Sequence, residues 1–347
     1  MVYVSLAARI LVNVEALNMV ESVGNVTRHR RVTIIVPVDS NKYVKVEAPA
    51  ISGETLAHAY QRALVTLAQQ IYGPGKAPIC EWCSRGEFIK SADAKHTIPG
   101  WEKVRAPKGR EAEEFEKFVI RNCLVEDIGG FLRAERPPSK RTSRFQVGYM
   151  IPTYDTIKFS VLESQFHARH IPSETLKEKG ERAAQMIYYV ETGSAVYGFM
   201  FNLDISTIGH ATLVKKEKVI SDDDLEKRIK VAIGALELLL GNAMFGAKRS
   251  RFLPFIEIRS ALAAVAHPIP FTVTPPSWPS FMKETLNKKE KFIKVISNLG
   301  ISQEVHLFGF SKEGQVEIPQ DITKVSDIHE LIEMIYNKVM ELMKVKK

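Results

Sequence analysis

Lys248, Arg249 and Arg251 lie within four residues of one another in the run Phe245-Gly-Ala-Lys-Arg-Ser-Arg-Phe252. Gly246, Ala247 and Ser250 are small enough to let backbone N–H groups approach an anion, and the three cations supply the opposing charge. Phosphate is the ligand class such a loop suits best, with a solvated basic turn as the plain alternative. A second run of the same kind, Gly24-Asn-Val-Thr-Arg-His-Arg-Arg31, carries Arg28, His29, Arg30 and Arg31 between two apolar segments. Recurrence of the arrangement favours phosphate over coincidence. A third stretch, Arg133 to Arg144, holds Arg141 and Arg144 beside Pro137-Pro138 and reads as a mobile basic loop.

Histidine and cysteine offer two further chemistries. His29, His167 and His170 are of the right type for general acid–base cleavage of RNA without a metal, yet histidines beside arginines more often contact phosphate. Cys80-Glu-Trp-Cys83 has zinc-knuckle spacing, and His96 and Cys123 would complete four ligands. With only one tightly spaced pair, free thiols or a reversible disulfide are the favoured reading, and no cofactor or metal is expected. Tyr197-Gly-Phe-Met-Phe201 superficially matches an aromatic RNA-stacking motif, but it lacks the preceding cation and is apolar on both faces. It reads as a buried core strand.

These residues need elements to position them. Val2, Val4, Leu6, Ala8, Ile10, Val12 and Val14 alternate on one face of a long strand, with Ser5, Arg9, Asn13 and Glu15 on the other, polar face. Strands are expected over Val32–Val38 and Tyr43–Ala48. A helix opens at Ser52-Gly53 and repeats Leu56, Ala59, Tyr60, Ala63, Leu64, Leu67 and Ile71 at helical spacing. Residues 73–146 lose this regularity and read as an insertion with a helix over Glu111–Asn122. Strands follow over Phe145–Pro152 and Lys158–Phe166, and a hydrophilic excursion over Pro172–Arg182. Met186–Ile205 has the apolar run of a buried central strand. Ser221 with Asp222, Asp223 and Asp224 starts a second helix that stops at Gly241, Phe252–Ile258 is strand-like, and a last helix starts at Ser326.

The whole is an α+β sandwich, with helices on one face of a largely antiparallel, ferredoxin-like or RRM-like sheet. A net charge of +8 on 347 residues favours a polyanionic partner. Ordinary composition, three cysteines, and the lack of a signal-like N-terminus or a membrane-length apolar run lead to the expectation of a cytoplasmic protein with no membrane contact.

Four phrases then occur in order along the first three quarters of the chain. They are Ser5-Leu-Ala-Ala-Arg-Ile-Leu-Val-Asn-Val-Glu-Ala-Leu-Asn18, Ala50-Ile-Ser-Gly-Glu-Thr-Leu-Ala-His-Ala-Tyr60, Phe166-His-Ala-Arg-His170 and Phe245-Gly-Ala-Lys-Arg-Ser-Arg-Phe-Leu-Pro254. Together they resemble the DevR-type, or autoregulator, branch of the RAMP proteins, the backbone subunits of type I-A CRISPR Cascade. The resemblance implies an RRM-like palm with a helical insert and a protruding thumb. Copies would polymerise head-to-tail along a guide RNA (crRNA), beside other Cascade subunits, and present the guide to target DNA. A head-to-tail interface repeated with rotation suits coating a strand, and pairing by the guide leaves the protein only backbone contacts to make.

Carried to this sequence, the resemblance places Ser52, Gly53 and His58 at the guide backbone. Asn18 with Arg28, His29, Arg30 and Arg31 would join the same groove, and Lys248, Arg249, Ser250 and Arg251 would form the family's loop near the RNA. That loop has fewer glycines here than the family pattern. Arg141, Arg144, His167, Arg169 and His170 complete the expected RNA-binding set. The implied division is a palm over 1–72 and 147–262, an insertion over 73–146, a thumb at about 171–182 and a C-terminal extension over 263–347. Related endoribonucleases on the same fold make metal-independent cleavage the alternative. Cleaving relatives use an aspartate after the first strand, and Glu21 to Arg31 has none, so no catalysis is expected. A DNA-binding autoregulator finds no helix-turn-helix pattern to support it.

Overall fold

The computed structural model describes residues 1–39, 41–170 and 185–344. The expected excursion, 172–182, and the implied thumb at about 171–182 lie outside the described residues. Strand β1 (Tyr3–Glu15) sits between β11 (Gln185–Asp204) and β14 (Phe255–His267), antiparallel to both. β15 (Glu304–Ser311) and β16 (Thr323–Lys324) extend the sheet beyond β14, and β3 (Val26–His29) and β2 (Met19–Val23) extend it beyond β11. β3 runs parallel to β11 and β16 parallel to β15, so the sheet is mixed rather than wholly antiparallel. β10 (Val161–His170) pairs with β11 from Val161↔Ser194 to His170↔Gln185.

One face of β1 behaves as its alternation predicts. Leu6, Ala8 and Ile10 are buried against α1 (Gly53–Tyr72), α5 (Asp222–Leu236) and α7 (Ile328–Lys344), whose apolar stripes supply Leu56, Tyr60, Ile229, Leu236, Leu331 and Ile335. The expected polar face is a correction. Ser5, Ala7 and Arg9 are also buried, beneath α6 (Phe281–Asn298) and the segments flanking it. Ser5 Oγ accepts the Val273 N–H at 3.1 Å, and Arg9 is paired with Asp155 at 2.8 Å and Glu313 at 3.0 Å. Those partners arrive from more than 140 residues away, so local alternation carries no sign of them. Helices therefore cover both faces of the sheet. α6 and β15 have no counterpart among the expected elements, and β14 runs nine residues past Ile258.

Val14 leaves the expected face because the chain kinks there. It has φ 54°, and the β1–β11 register shifts between Val12 and Glu15. β4 (Arg31–Asp39) and β5 (Lys42–Pro49) form where expected but pair only with each other, as a two-stranded ribbon off the main sheet.

The insertion contains α2 (Glu81–Arg85), α3 (Glu111–Asn122) and α4 (Leu124–Gly129), followed by the hairpin β6 (Phe131–Arg133) and β7 (Ser139–Arg141). That hairpin stands where a mobile basic loop was expected. Short strands β8 (Phe145–Val147) and β9 (Ile151–Pro152) return the chain to β11, and β12 (His210–Ala211) pairs with β13 (Glu217–Lys218) beyond it. No helix among the described residues is long and apolar enough to cross a membrane.

Candidate nucleic-acid interface

The corner Leu17-Asn18, just past β1, sets the register of three segments at once. The Leu17 carbonyl accepts the Ala247 N–H at 2.8 Å, and the Asn18 carbonyl accepts the Arg30 N–H at 2.9 Å. Asn18 Oδ1 accepts the Ser52 N–H at 2.7 Å. One dipeptide thus ties the 246–252 loop, the end of β3 and the start of α1 together. The corner is itself held by Glu15, a buried carboxylate that accepts the Leu17 N–H at 2.8 Å and the Tyr197 hydroxyl at 2.9 Å. His29 Nε2 lies 2.6 Å from the same carboxylate, and His29 Nδ1 meets the Arg30 carbonyl at 2.8 Å.

Three of the expected contact residues are therefore internal struts. Asn18 and Ser52 are nearly enclosed, Ser52 caps α1 by accepting the Thr55 N–H, and His29 is buried against Glu15. Ser52 and His29 position the surface rather than form it, while Asn18 both positions it and lines one of its recesses. Gly53 has a packing reason as well: a Cβ there would sit 2.9 Å from the Val147 carbonyl oxygen.

The basic loop itself carries open charge. Gly246 adopts φ +83°, and a Cβ on it would strike the Leu17 side chain at 2.6 Å, so glycine is needed both for the turn and for the close approach. Lys248 also takes a left-handed conformation, φ 52°, and its carbonyl accepts the N–H groups of Arg251 and Phe252. Lys248, Arg249 and Arg251 have no ion-pair partner among the described residues. Partial burial, and then the Arg251 charge, lower the Lys248 pKa, as expected for cations gathered without a counterion.

Recesses flank this loop on both sides. One, of about 540 Å³, is lined by Asn25, Thr27, Tyr188, Lys248, Ser250 and Arg251, and among the described residues none that lines it is acidic. Its aromatic wall is Phe252 and Tyr188. His167 stacks on Tyr188 at 5.2 Å and meets Phe252 edge-on at 5.5 Å, so the imidazole backs the wall. The other recess, of about 640 Å³, lies between Arg249 and the first turns of α1, with Asn18, Thr55, His58 and Arg62 around it. Glu54 is its one acidic residue among the described residues. The helix N-terminus holds the Glu54 pKa below the usual carboxylate range, first through backbone N–H groups and then through Ser52.

The remaining expected residues divide. Arg28 is exposed, 3.8 Å from Glu21. Arg30 reaches the Tyr149 hydroxyl at 3.3 Å, and Arg31 is shared between Glu47 at 3.2 Å and Glu191 at 2.8 Å. Only the backbone of Arg169 and His170 is described.

Arg141 and Arg144 require a correction, because they are inside. Arg141 is fully buried, donating to Glu116 at 2.9 Å and to Asp127, and capping the carbonyls of Thr207 and His210. Arg144 is 9% exposed and donates to Thr212 Oγ1 at 3.0 Å; burial, and then the Arg141 charge, lower its pKa to about 10. α3, α4 and the 207–212 segment bring acids and carbonyls to the guanidinium, a convergence invisible along the chain.

Two wall residues were missed by sequence reasoning. Arg62 falls four residues after His58 on α1, so helical spacing alone places both on one face. Tyr188 is concealed within the apolar run of β11. Tyr197, Phe199 and Phe201 are fully buried, as expected of a core strand.

Residues 6–286 match the family model described as "CRISPR-associated negative auto-regulator DevR/Csa2". The chain is 37% identical to "CRISPR-associated aCascade subunit Cas7/Csa2 2" of Saccharolobus solfataricus, over 95% of this chain and 98% of that one. It is 25% identical to "CRISPR-associated protein Cas7/Cst2/DevR" of Methanocaldococcus jannaschii, over 97% of this chain and the whole of that one. Its fold resembles a chain of a solved "CRISPR RNA-guided surveillance complex, pre-nicking", with a TM-score of 0.51, 10% identity and coverage of 97% and 99% of the two chains. The chain belongs to the DevR/Csa2 family of CRISPR-associated proteins.

Proposed function

We propose that this chain is the guide-RNA-binding backbone subunit of a type I-A CRISPR Cascade, gripping the phosphates of a single strand and leaving the bases to pair. The observation that carries the reading is the 246–252 loop: three cations without acidic partners among the described residues, fixed by backbone bonds, between two recesses. Arg62 and His58 on α1 extend one recess, and the polar side chains of Asn25 and Thr27 line the other. Such a surface holds a polyanion without a set of side chains aimed at base edges. The relatives named as Cas7/Csa2 and aCascade subunits support the same assignment. Copies polymerise head-to-tail on the guide, beside other Cascade subunits, and the coated strand is offered to target DNA.

The chain does not cut the strand it holds. His29, the histidine nearest the cationic runs in sequence, is buried against Glu15, and His167 is packed between Tyr188 and Phe252. Neither has the arrangement of an exposed acid–base pair.

The test uses purified full-length protein and several unrelated RNAs of equal length. Affinity is expected to be similar for all and to fall with salt, by about −0.7 in log–log slope for each phosphate contact on a single strand. Electron microscopy of the protein on a long RNA should show an ordered filament, and the RNA should remain intact with and without divalent metal. Tight binding to one sequence alone, or cleavage that disappears in His167→Ala, would overturn the reading.

A further inference from the structure

Away from the RNA surface, three cysteines converge from distant parts of the insertion. Cys80 and Cys83 come from the turn that opens α2, and Cys123 from the junction of α3 and α4, 40 residues on. The Leu124 N–H donates to the Pro78 carbonyl at 2.7 Å, which fixes the two segments side by side. Glu126, one turn past Cys123, adds a carboxylate. All four residues are buried, and their ligand atoms lie within 4.8 Å of one another. Cys80 Sγ is 3.4 Å from Glu126 Oε1, and the Cys83 N–H points to Cys80 Sγ at 3.5 Å. His96, the fourth ligand suggested by spacing, is instead bound to Asp93 at 2.8 Å and meets Trp82 edge-on.

We propose that Cys80, Cys83, Cys123 and Glu126 form a structural zinc site. A tetrahedral ion with zinc–sulfur distances of about 2.3 Å needs ligand atoms about 3.8 Å apart, which this cluster meets with little adjustment. Thiolates select a soft or borderline divalent ion over magnesium or calcium, and zinc is the redox-silent choice for a buried staple. Binding releases the thiol protons, and Lys90, which feels the charges of Cys83, Glu126 and Cys123, offsets part of the negative charge. A buried carboxylate beside three buried thiols is otherwise a poor occupant of a core. The site pins α2 to the α3–α4 junction, and the turn after α2 abuts α1 through the Gly86 carbonyl and His58 at 3.2 Å.

The test measures metal in full-length protein purified without chelator, by elemental analysis and by zinc release on titration with a mercurial. A single zinc per chain is expected, absent from Cys83→Ser and Cys123→Ser. Because those variants can also fail to fold, wild-type protein is stripped and reloaded with cobalt. Thiolate-to-cobalt charge transfer and the intense visible bands of a tetrahedral ion are expected. Glu126→Gln should retain the charge transfer but bind zinc more weakly by about tenfold or more. No bound metal together with three free thiols on denaturation, or a disulfide between any two cysteines, would overturn the proposal. Zinc held by Glu126→Gln as tightly as by wild type would remove Glu126 from the ligand set.

Discussion

Arg141 and Arg249 come from short cationic runs of similar length, each placed among small and turn-forming residues, and the fold puts them to opposite uses. Arg141 is fully buried, with two carboxylates and three carbonyls around it. Arg249 has no ion-pair partner among the described residues and lines an open recess with His58 and Arg62. The difference lies in what arrives from elsewhere. α3 and α4 carry Glu116 and Asp127 to the first arginine, whereas the corner at Leu17-Asn18 brings backbone groups to the loop of the second. A basic run is therefore an anion site only when the rest of the fold withholds acids from it.

The sharpest way to break this contrast is Arg141→Ala. It strands Glu116 in the interior without its cation and leaves Asp127 with Arg228, at 2.8 Å, and the Gly209 N–H. Removing one partner of a buried ionic network costs about 3–5 kcal/mol, a large fraction of a domain's stability. Urea denaturation should show it, while Arg249→Ala shifts stability by less than about 0.5 kcal/mol. Equal stability losses in the two variants would mean the buried network is not what separates them.

The reciprocal experiment is Arg249→Ala with Arg251→Ala. Hydrogen bonds to charged groups are worth about 1.5–3 kcal/mol each, so losing even one intact contact weakens RNA binding by about tenfold. The log–log salt slope should flatten by about 1.4 for two single-strand contacts, in equal measure for unrelated RNAs. Unchanged affinity would place the RNA elsewhere on the molecule.

How much of this could be read in advance follows from the range of the interactions involved. The α1 start at Ser52, the α5 cap at Ser221 and the long β11 were legible because caps and periodicity are local. So was the openness of the 246–252 loop, whose glycine and small residues announce a turn. What escaped was set by contacts across the chain: the second buried face of β1 under α6, the burial of His29 by Glu15, and the enclosure of Arg141. The cysteines show both cases. The Cys80–Cys83 pair is local and was legible, whereas the choice of Glu126 over His96 depends on how α4 packs.

A smaller effect tests whether the loop needs its frame as well as its charge. Gly246→Ala puts a methyl group against Leu17 and a side chain on a left-handed backbone. The expected destabilisation is about 1–2 kcal/mol, with weaker RNA binding although no cation is lost. If binding is unchanged in the folded variant, the loop holds phosphate without help from its fixed backbone.

The smallest expected effect is a pH dependence that belongs to the Arg141 side alone. His210, whose carbonyl accepts from Arg141 at 2.7 Å, has its pKa lowered, first by burial and then by Lys216 and Lys218, against the Ile208 carbonyl and Asp127. A lowered folded-state value means the unfolded chain takes up the proton first as pH falls. The neutral ring's contribution is therefore fully present above the ordinary histidine value of about 6.5 and fades as pH drops through it towards the lower folded value. The side chain is only half-buried, so solvent screening keeps the loss below about 1 kcal/mol. Unfolding free energies of wild type and His210→Gln, compared between about pH 7.5 and about pH 5.5, should converge as the wild type loses its advantage. Convergence should persist in the Arg249→Ala, Arg251→Ala background, because the loop shares no titrating partner with His210. If the wild type instead gains stability on acidification, His210 is protonated in the fold, and the enclosure around Arg141 is more open to charge than its burial implies.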